Sequence, residues 1–156
     1  MTISIVRISK RKYVATAFNG EGARRFGGRW NSRGKSVVYT SATLSLAALE
    51  TFVHMEIEDA GNMFAYIRAD IPEDIQIDRI DISQLPSNWR KIPAPPSLTA
   101  IGDEWFDSGN TAVLAVPSAV IPVENNYLIN PLHRDFAKIK IHEPQPFELD
   151  PRMWKG

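Results

Sequence analysis

The sequence lacks cysteine altogether, which excludes a disulfide framework and thiolate chemistry. It also lacks any run close to the roughly 18 consecutive apolar residues that a membrane-spanning helix requires. The first residues, MTISIVRISKRK, do not have the basic-then-apolar order of a secretory signal. With 156 residues and 44% hydrophobic content, the chain is predicted to form one soluble, cytoplasmic domain over residues 1–156.

Familiar metal-binding and phosphate-binding motifs are absent as well. The three histidines, His54, His133 and His142, stand at no ligand spacing, so no metal site is expected. The sequence has no G-x-x-x-x-G-K-[ST] loop, and Gly27-Gly28 is not followed by the spacing of a dinucleotide fingerprint. If the protein binds a nucleotide, side chains must therefore hold it.

The chain has no net charge, but its charges are unevenly distributed. Residues 1–35 carry nine Lys or Arg residues against one acidic residue, Glu21. An excess of positive charge in one segment indicates contact with an anion, either a phosphate-bearing small molecule or a nucleic acid. A solvated basic surface would give the same count, so charge alone leaves these alternatives open.

Short strand patterns at irregular spacing, with one clear helix and one weaker helix, predict an α+β fold with twisted, mainly antiparallel sheets. A doubly wound parallel fold is excluded because strands and helices do not alternate regularly. The predicted strands are 3–8, 36–40, 63–71, 75–82, 111–116, 119–121 and 137–141, and the weaker helix is 98–108. Segment 9–34 has no period, and four aromatic residues are expected to anchor it: Tyr13, Phe18, Phe26 and Trp30.

The clear helix has Ser41 or Thr43 as its N-cap and is predicted to end near Glu58. Glu50 falls on the apolar stripe of this helix, which comprises Leu46, Leu49, Val53 and Ile57. Burying an unpaired carboxylate costs several kcal/mol, so Glu50 needs a partner or a cavity to face. A buried ion pair with an upstream arginine and a role in a functional site both satisfy this requirement.

Polar residues near the C-terminus first indicate turns. Ser118 is not part of a G-x-S-x-G elbow and has no evident base in the sequence, so its spacing is that of a turn residue. The pairs Asn125-Asn126 and Asn130-Pro131 are likewise typical of turns.

Several stretches nevertheless occur in a recognisable order: GGRWNSRG with VVYTS, then LSLAALE, IGDEW and LAVPSAVIPVENNYLINPLH. In this combination they resemble the RES-domain proteins, a family named for an arginine, a glutamate and a serine. The resemblance extends from Val6 to about His142 and therefore covers nearly the whole chain.

The resemblance implies a fold similar to that of ADP-ribosyltransferases and NAD as a substrate, with no separate cofactor. Family members cleave the nicotinamide–ribose bond, with water, phosphate or a protein side chain as the acceptor. The family's arginine, glutamate and serine match Arg29, Glu50 and Ser118. Further positions that the family places at its cavity are Arg7, Tyr39 and Asn130.

These matches imply a role for each residue. The guanidinium groups of Arg29 and Arg7 suit the NAD phosphates. Glu50 would stabilise the positive charge that develops on the ribose or hold a ribose hydroxyl in place. Tyr39 would stack on the nicotinamide, with packing in the core as the alternative. Ser118 is expected to position another group rather than to attack, because this bond needs no covalent serine intermediate. Asn130 suits either the ligand or a backbone turn.

The resemblance also implies a biological setting. RES proteins are toxins that deplete NAD and arrest growth, and an antitoxin of the Xre helix-turn-helix type holds them silent. The antitoxin is expected to block the cavity near Arg29 and Glu50 and to carry any DNA contact, with no membrane partner and with a homodimer compatible with the complex. The residues alone also allow a non-catalytic nucleic-acid-binding module that uses the basic segment and Trp30. A purely structural protein would explain neither Glu50 nor Arg29.

Overall fold

The computed structural model describes residues 1–56, 59 and 63–154. Its strands are β1 (Ile3–Lys10), β2 (Val38–Ser41), β3 (Phe64–Ile71), β4 (Ile77–Arg79), β5 (Val113–Pro117), β6 (Asn125–Ile129), β7 (Lys140–Ile141) and β8 (Gln145–Phe147). Its α-helices are α1 (Glu21–Phe26), α2 (Leu44–Val53) and α3 (Pro96–Ser108). Short 3₁₀ helices cover Arg11–Thr16, Ile82–Gln84, Arg134–Lys138 and Pro151–Trp154. In the described part of the chain, no helix has the length and apolar character to cross a membrane.

The strands form one sheet in the order β4-β5-β6-β2-β1-β3-β7, and β8 also pairs with β3. Among the described residues every pairing is antiparallel except that of β4 with β5, which confirms the predicted α+β class. A single registered pair, Val6 with Ser41, joins β1 to β2, whereas β1 pairs with β3 along its full length. The sheet therefore opens at the β1–β2 junction, which we call the seam.

The two faces of the sheet carry separate cores. Tyr127 and Ile129 of β6 belong to one core and Leu128 belongs to the other, as the alternation of a strand requires. The second core is built around three buried tryptophans: Trp30, Trp89 and Trp105. Each aromatic side chain of this kind buries about 150–250 Å². Burial of Trp30 therefore attaches the glycine-rich segment 27–34 firmly to the sheet.

Helix α2 is shorter than predicted. Its N-cap is Thr43, whose hydroxyl accepts a hydrogen bond from the N–H of Leu46 at 3.1 Å. The helix ends at Val53, which is 54% exposed, so the prediction that this residue belongs to a buried stripe is wrong. Without burial there, packing does not support a further turn. The predicted stripe member Ile57 and the predicted end at Glu58 lie outside the described residues.

The segment predicted as a long loop contains short helices, namely Arg11–Thr16 and α1. Trp30 is buried and Phe18 packs against the first core, as expected of anchors. Tyr13 and Phe26 are 53% and 73% exposed, so their predicted role as anchors is wrong. Each of these two rings lies beside the basic side chain of a sequence neighbour. The direction in which a short helix turns its aromatic residue is thus decided by packing.

The C-terminal strands also differ from prediction. Residues 119–121 form a bend, and the strand lies later, at β6 between β5 and β2. Asn125 and Asn126 prefer turns, but hydrogen bonding to strands on both sides overrides that preference. The strand predicted at 137–141 is reduced to β7, because the 3₁₀ helix Arg134–Lys138 takes its first two residues and a bend follows at Ile139.

Candidate active site

Glu50 lies on α2 and faces the chain segments around Ser118 and β6. Its Oε1 accepts two hydrogen bonds, from Ser118 Oγ at 2.6 Å and from Asn126 Nδ2 at 3.0 Å. Its Oε2 has no hydrogen-bond donor among the described residues. Within the same residues no Arg or Lys lies at ion-pair distance from Glu50, so the ion-pair interpretation of this carboxylate is wrong.

Ser118 is fully buried, and its hydroxyl makes every hydrogen bond that a hydroxyl can make. It accepts hydrogen bonds from the backbone N–H groups of Val120 at 3.1 Å and Ile121 at 3.0 Å. A serine hydroxyl has one proton and two lone pairs, so its proton is left for the carboxylate of Glu50. This geometry orients Glu50 and leaves no lone pair of Ser118 for attack on a substrate.

Arg29 extends from the glycine-rich segment toward residues 89–91. Its Nη1 donates to the backbone carbonyls of Trp89 at 2.9 Å and Lys91 at 3.2 Å. Partial burial lowers the pKa of Arg29, and the negative charge of Glu50 acts in the opposite direction. The guanidinium stays protonated, because an arginine side chain does not lose its proton in a folded protein. Arg29 and Glu50 are thus near enough to influence each other electrostatically without forming an ion pair.

A hydrogen-bond network from β2 holds the segment that carries Arg29. The hydroxyl of Tyr39 donates to Asn31 Oδ1 at 2.6 Å and accepts the backbone N–H of Trp30 at 3.1 Å. The amide group of Asn31 then donates to two backbone carbonyls at 3.0 Å each. Gly28 permits this approach, since a Cβ at that position would lie 2.6 Å from the Tyr39 hydroxyl oxygen. The network offsets the entropy cost of ordering a glycine-rich segment.

The substitution Tyr39→Phe is expected to reduce the free energy of unfolding by about 1–3 kcal/mol, because Asn31 Oδ1 and the Trp30 N–H lose a buried partner. Burial raises the pKa of Tyr39 well above its ordinary value near 10. The folded state therefore keeps a proton that the unfolded chain releases, and this contribution is complete below pH 10 and lost as pH rises.

Urea unfolding at pH 8 and at pH 11 measures the effect. Wild-type protein should lose about 1.4 kcal/mol per pH unit above pH 10 more than Tyr39→Phe does. An equal decline in the two proteins would show that the Tyr39 hydroxyl is not protected in the folded state.

Helix α3 also contacts the glycine-rich segment that carries Arg29. A Cβ on Gly102 would lie only 1.6 Å from the backbone oxygen of Trp30, so the helix and the segment are in backbone contact. Asp103 accepts the backbone N–H of Ser32 at 2.9 Å and its hydroxyl at 2.7 Å. The IGDEW stretch therefore serves to hold the position of Arg29.

Arg7 spans the seam. Its Nη1 donates to the backbone carbonyl of Tyr39 at 3.0 Å, where β1 and β2 no longer pair. Burial lowers the pKa of Arg7, and its Nε is the one buried side-chain nitrogen or oxygen without a partner among the residues described. A buried cationic N–H without an acceptor is costly, and a bound anion would supply the missing acceptor.

Asn130 lies apart from the other predicted site residues. It follows β6 directly, and its Oδ1 accepts the backbone N–H of Leu132 at 2.9 Å, which is an Asx turn. About 13 Å of strand separates it from Asn126 beside Glu50. The structure thus brings Ser118 to Glu50 and links Arg7 and the Arg29 segment through Tyr39, but it uses Asn130 in a turn.

A separate cleft of about 420 Å³ lies beside β4 and α3, with Asp78, Gln84 and Glu104 among its lining residues. None of the six predicted site residues lines this cleft. In the described ranges no group of three or more His, Asp or Glu residues could hold a metal ion.

Sequence reasoning missed four residues that organise the site: Asn31, Gly102, Asp103 and Asn126. The first three lie within the stretches GGRWN and IGDEW. The family resemblance indicated that these stretches matter but did not assign a role to these individual residues. Asn126 also lies in such a stretch, but its preference for turns obscured it.

The fold is a single mainly antiparallel α+β domain whose sheet opens at a seam and whose helix α2 presents a glutamate held by a serine. The chain belongs to the RES domain family, whose family model matches residues 4–150. This match confirms the resemblance noted in the sequence.

Named relatives cover nearly the whole chain. It is 42% identical over 154 residues to "Toxin Res" of Photorhabdus laumondii, an alignment that covers 97% of each chain. It is 36% identical over 157 aligned positions to "Prs ADP-ribosylating toxin" of a Sphingobium species, covering 98% of each. Among solved structures, the MbcT-MbcA toxin-antitoxin complex of M. tuberculosis contains a chain of the same fold, with a TM-score of 0.79 and 15% identity. That similarity covers 95% of this chain and 85% of the other.

Proposed function

We propose that this protein is the toxin of a toxin-antitoxin pair and that it consumes NAD by cleaving the nicotinamide–ribose bond. The observation that carries the proposal is the arrangement of Glu50: one carboxylate oxygen is held by two donors, and among the described residues the other oxygen has no donor and Arg29 lies near without forming an ion pair. A pair of opposite charges held apart in this way suits a ligand that carries both a phosphate and a developing positive charge.

In the proposed reaction the bond from ribose C1′ to the nicotinamide nitrogen breaks, and its electron pair leaves with neutral nicotinamide. Positive charge grows on C1′ and the ring oxygen, by analogy with glycoside hydrolysis. The carboxylate of Glu50 stabilises that charge through its free Oε2, or holds a ribose hydroxyl there. An acceptor oxygen then bonds to C1′ and releases its proton to solvent.

The remaining site residues bind and orient the NAD. Arg29 keeps guanidinium N–H groups beyond Nη1 for phosphate oxygens, and the unpartnered Nε of Arg7 provides another. The ring of Tyr39 packs against the core of the three tryptophans and its hydroxyl is engaged with Asn31, so any stacking on the nicotinamide, worth about 0.5–1.5 kcal/mol, uses the part of the ring that stays exposed. NAD is consumed as a substrate, and the proposal requires no resident cofactor.

The names of the relatives support the toxin part of the proposal. The solved structure of similar fold comes from a complex with an antitoxin, so we propose that an antitoxin covers the site beside Arg29 and Glu50 here too. An Xre-type antitoxin that carries the DNA contact, and a homodimer of this chain within the complex, are parts of the same proposal.

A nucleic-acid-binding module finds less support, because much of the N-terminal positive charge is already used. Lys10, Arg24 and Lys35 form ion pairs with Asp59, Glu21 and Asp107. Arg7 and Arg29 are only partly exposed, which suits contact with a small phosphate-bearing molecule better than contact with an extended phosphate backbone.

The proposal is tested by incubating the purified protein with NAD and measuring free nicotinamide by chromatography. Wild-type protein should release nicotinamide, and Arg29→Ala should raise the KM for NAD about tenfold or more, because it removes a charge-assisted phosphate contact. Arg33→Ala is the matched control: Arg33 is exposed on the same segment, and its loss should leave the KM unchanged.

The same reactions are run in buffer alone, with inorganic phosphate and with a cell extract, and mass spectrometry follows the ADP-ribose. The acceptor is then identified as water, phosphate or a protein. Absence of nicotinamide release under all three conditions would contradict the proposed function.

A further inference from the structure

We infer that Asn126, supported from behind by Ser41, is a positioning residue that fixes the orientation of the Glu50 carboxylate. This inference rests on the proposed function, because it assigns a role in that reaction. It concerns a residue that the sequence pattern assigns to a turn. The contacts form a chain in which Ser41 Oγ donates to Asn126 Oδ1 at 2.8 Å and Asn126 Nδ2 donates to Glu50 Oε1 at 3.0 Å.

The direction of these hydrogen bonds follows from the chemistry of the partners. A carboxylate only accepts hydrogen bonds, so the amide must turn its NH₂ group toward Glu50 and its oxygen away from it. Ser41 meets that oxygen with its hydroxyl proton. Since a hydroxyl can also accept, Ser41 would tolerate either amide orientation, and it is Glu50 that selects one. Ser41 then stabilises the selected orientation.

Sheet register explains why the two residues meet. Ser41 of β2 and Asn126 of β6 are directly opposite each other, and Asn126 is also opposite Val116 of β5. Side chains at registered positions share a face, so Ser41 and Asn126 lie on the same side of the sheet. Ser118 follows Val116 by two residues and thus continues the same alternation toward Glu50.

The consequence is a carboxylate oriented from two directions. Ser118 and Asn126 both donate to Oε1, and this arrangement leaves Oε2 as the oxygen that meets a substrate. A glutamate side chain has three rotatable bonds, and loss of one donor would let the carboxylate turn away. Misplacement of a reacting group by about 1 Å can reduce a rate by about 100-fold.

The inference is tested with Asn126→Ala and Asn126→Asp in the nicotinamide-release assay. Both variants should reduce kcat by about 10- to 100-fold and leave the KM for NAD essentially unchanged, because the residue orients Glu50 and does not bind NAD. Asn126→Asp keeps the shape of the side chain and replaces the donor with a carboxylate that repels Glu50, so it serves if the alanine variant does not fold. Asn125→Ala, on the same strand and without a hydrogen bond to Glu50 in the part of the chain that the structure describes, is the control that should retain wild-type kcat.

A double-mutant cycle distinguishes a positioning role of Asn126 from a general disturbance of the fold. Ser41→Ala should lower kcat in the wild-type background and have no further effect in Asn126→Ala, since Ser41 acts through Asn126. Equal losses from Ser41→Ala in both backgrounds, or a wild-type kcat for both Asn126 variants, would overturn the inference.

A spectroscopic measurement makes the inference independent of the proposed reaction. In ¹H-¹⁵N spectra, Glu50→Ala should shift the side-chain NH₂ signals of Asn126 and leave those of Asn125 in place. An unchanged Asn126 signal would overturn the inference even if NAD is cleaved. If the wild-type protein does not cleave NAD and the Asn126 signal shifts, the proposed function fails while the hydrogen bond to Glu50 is upheld.

Discussion

Glu50→Gln should lower kcat for nicotinamide release by about 100- to 1,000-fold, the usual loss when a preorganised electrostatic contact to a transition state is removed. The glutamine side-chain oxygen can still accept the hydrogen bonds that Ser118 and Asn126 donate to Oε1. The fold should therefore survive, and the loss should reflect the missing negative charge. Steady-state kinetics together with thermal unfolding of the same preparation measure both quantities.

Glu148→Gln is the matched control for that substitution. Glu148 is exposed and lies outside the site, so its neutralisation should leave kcat unchanged. A Glu50→Gln variant with wild-type kcat would show that the carboxylate takes no part in the reaction. A variant with a strongly reduced melting temperature would show instead that its charge supports the fold.

Gly102→Ala should lower the free energy of unfolding by about 3 kcal/mol or more, because the new Cβ would lie 1.6 Å from the backbone oxygen of Trp30. Backbone cannot yield as a flexible side chain does, so α3 and the segment with Arg29 must separate. For a domain of this size the melting temperature should fall by about 6–12 °C. The KM for NAD should rise as well, since Arg29 loses its support.

Gly22→Ala is the matched control, because Gly22 is also a helical glycine and no heavy atom lies within 4 Å of its added Cβ. It should leave stability unchanged or raise it by about 0.5–1 kcal/mol, as alanine favours a helix. If Gly102→Ala were as stable as Gly22→Ala, the contact between α3 and Trp30 would not exist in solution.

The two substitutions act on different parts of the proposed site. Glu50 is oriented by side-chain hydrogen bonds that can be removed singly, whereas Arg29 is held by backbone packing on α3 and by the Tyr39–Asn31 network. Activity should therefore be sensitive to point changes around Glu50, and stability should be sensitive to changes around the glycine-rich segment.

Local sequence patterns predicted much of this protein. The alternation of β1, the cap of α2 at Thr43 and the apolar run of β5 are local signals, and the structure contains all three elements. The resemblance of several short motifs to a known family was equally informative. These motifs occur in the order typical of the RES family, and the family match over residues 4–150 confirms the assignment. The uneven charge of residues 1–35 also indicated the segment that carries Arg7 and Arg29.

Tertiary structure decided what those residues contact. Glu50 was noticeable from its position on an apolar stripe, but its partners, Ser118 and Asn126, are 68 and 76 residues away. Asn126 reaches it only because β6 is paired on both sides, which overrides a local preference for a turn. Likewise, no local sequence pattern indicates the backbone contact between Gly102 and Trp30. Sheet register and close packing arise from the whole chain folding at once, so no local pattern contains them.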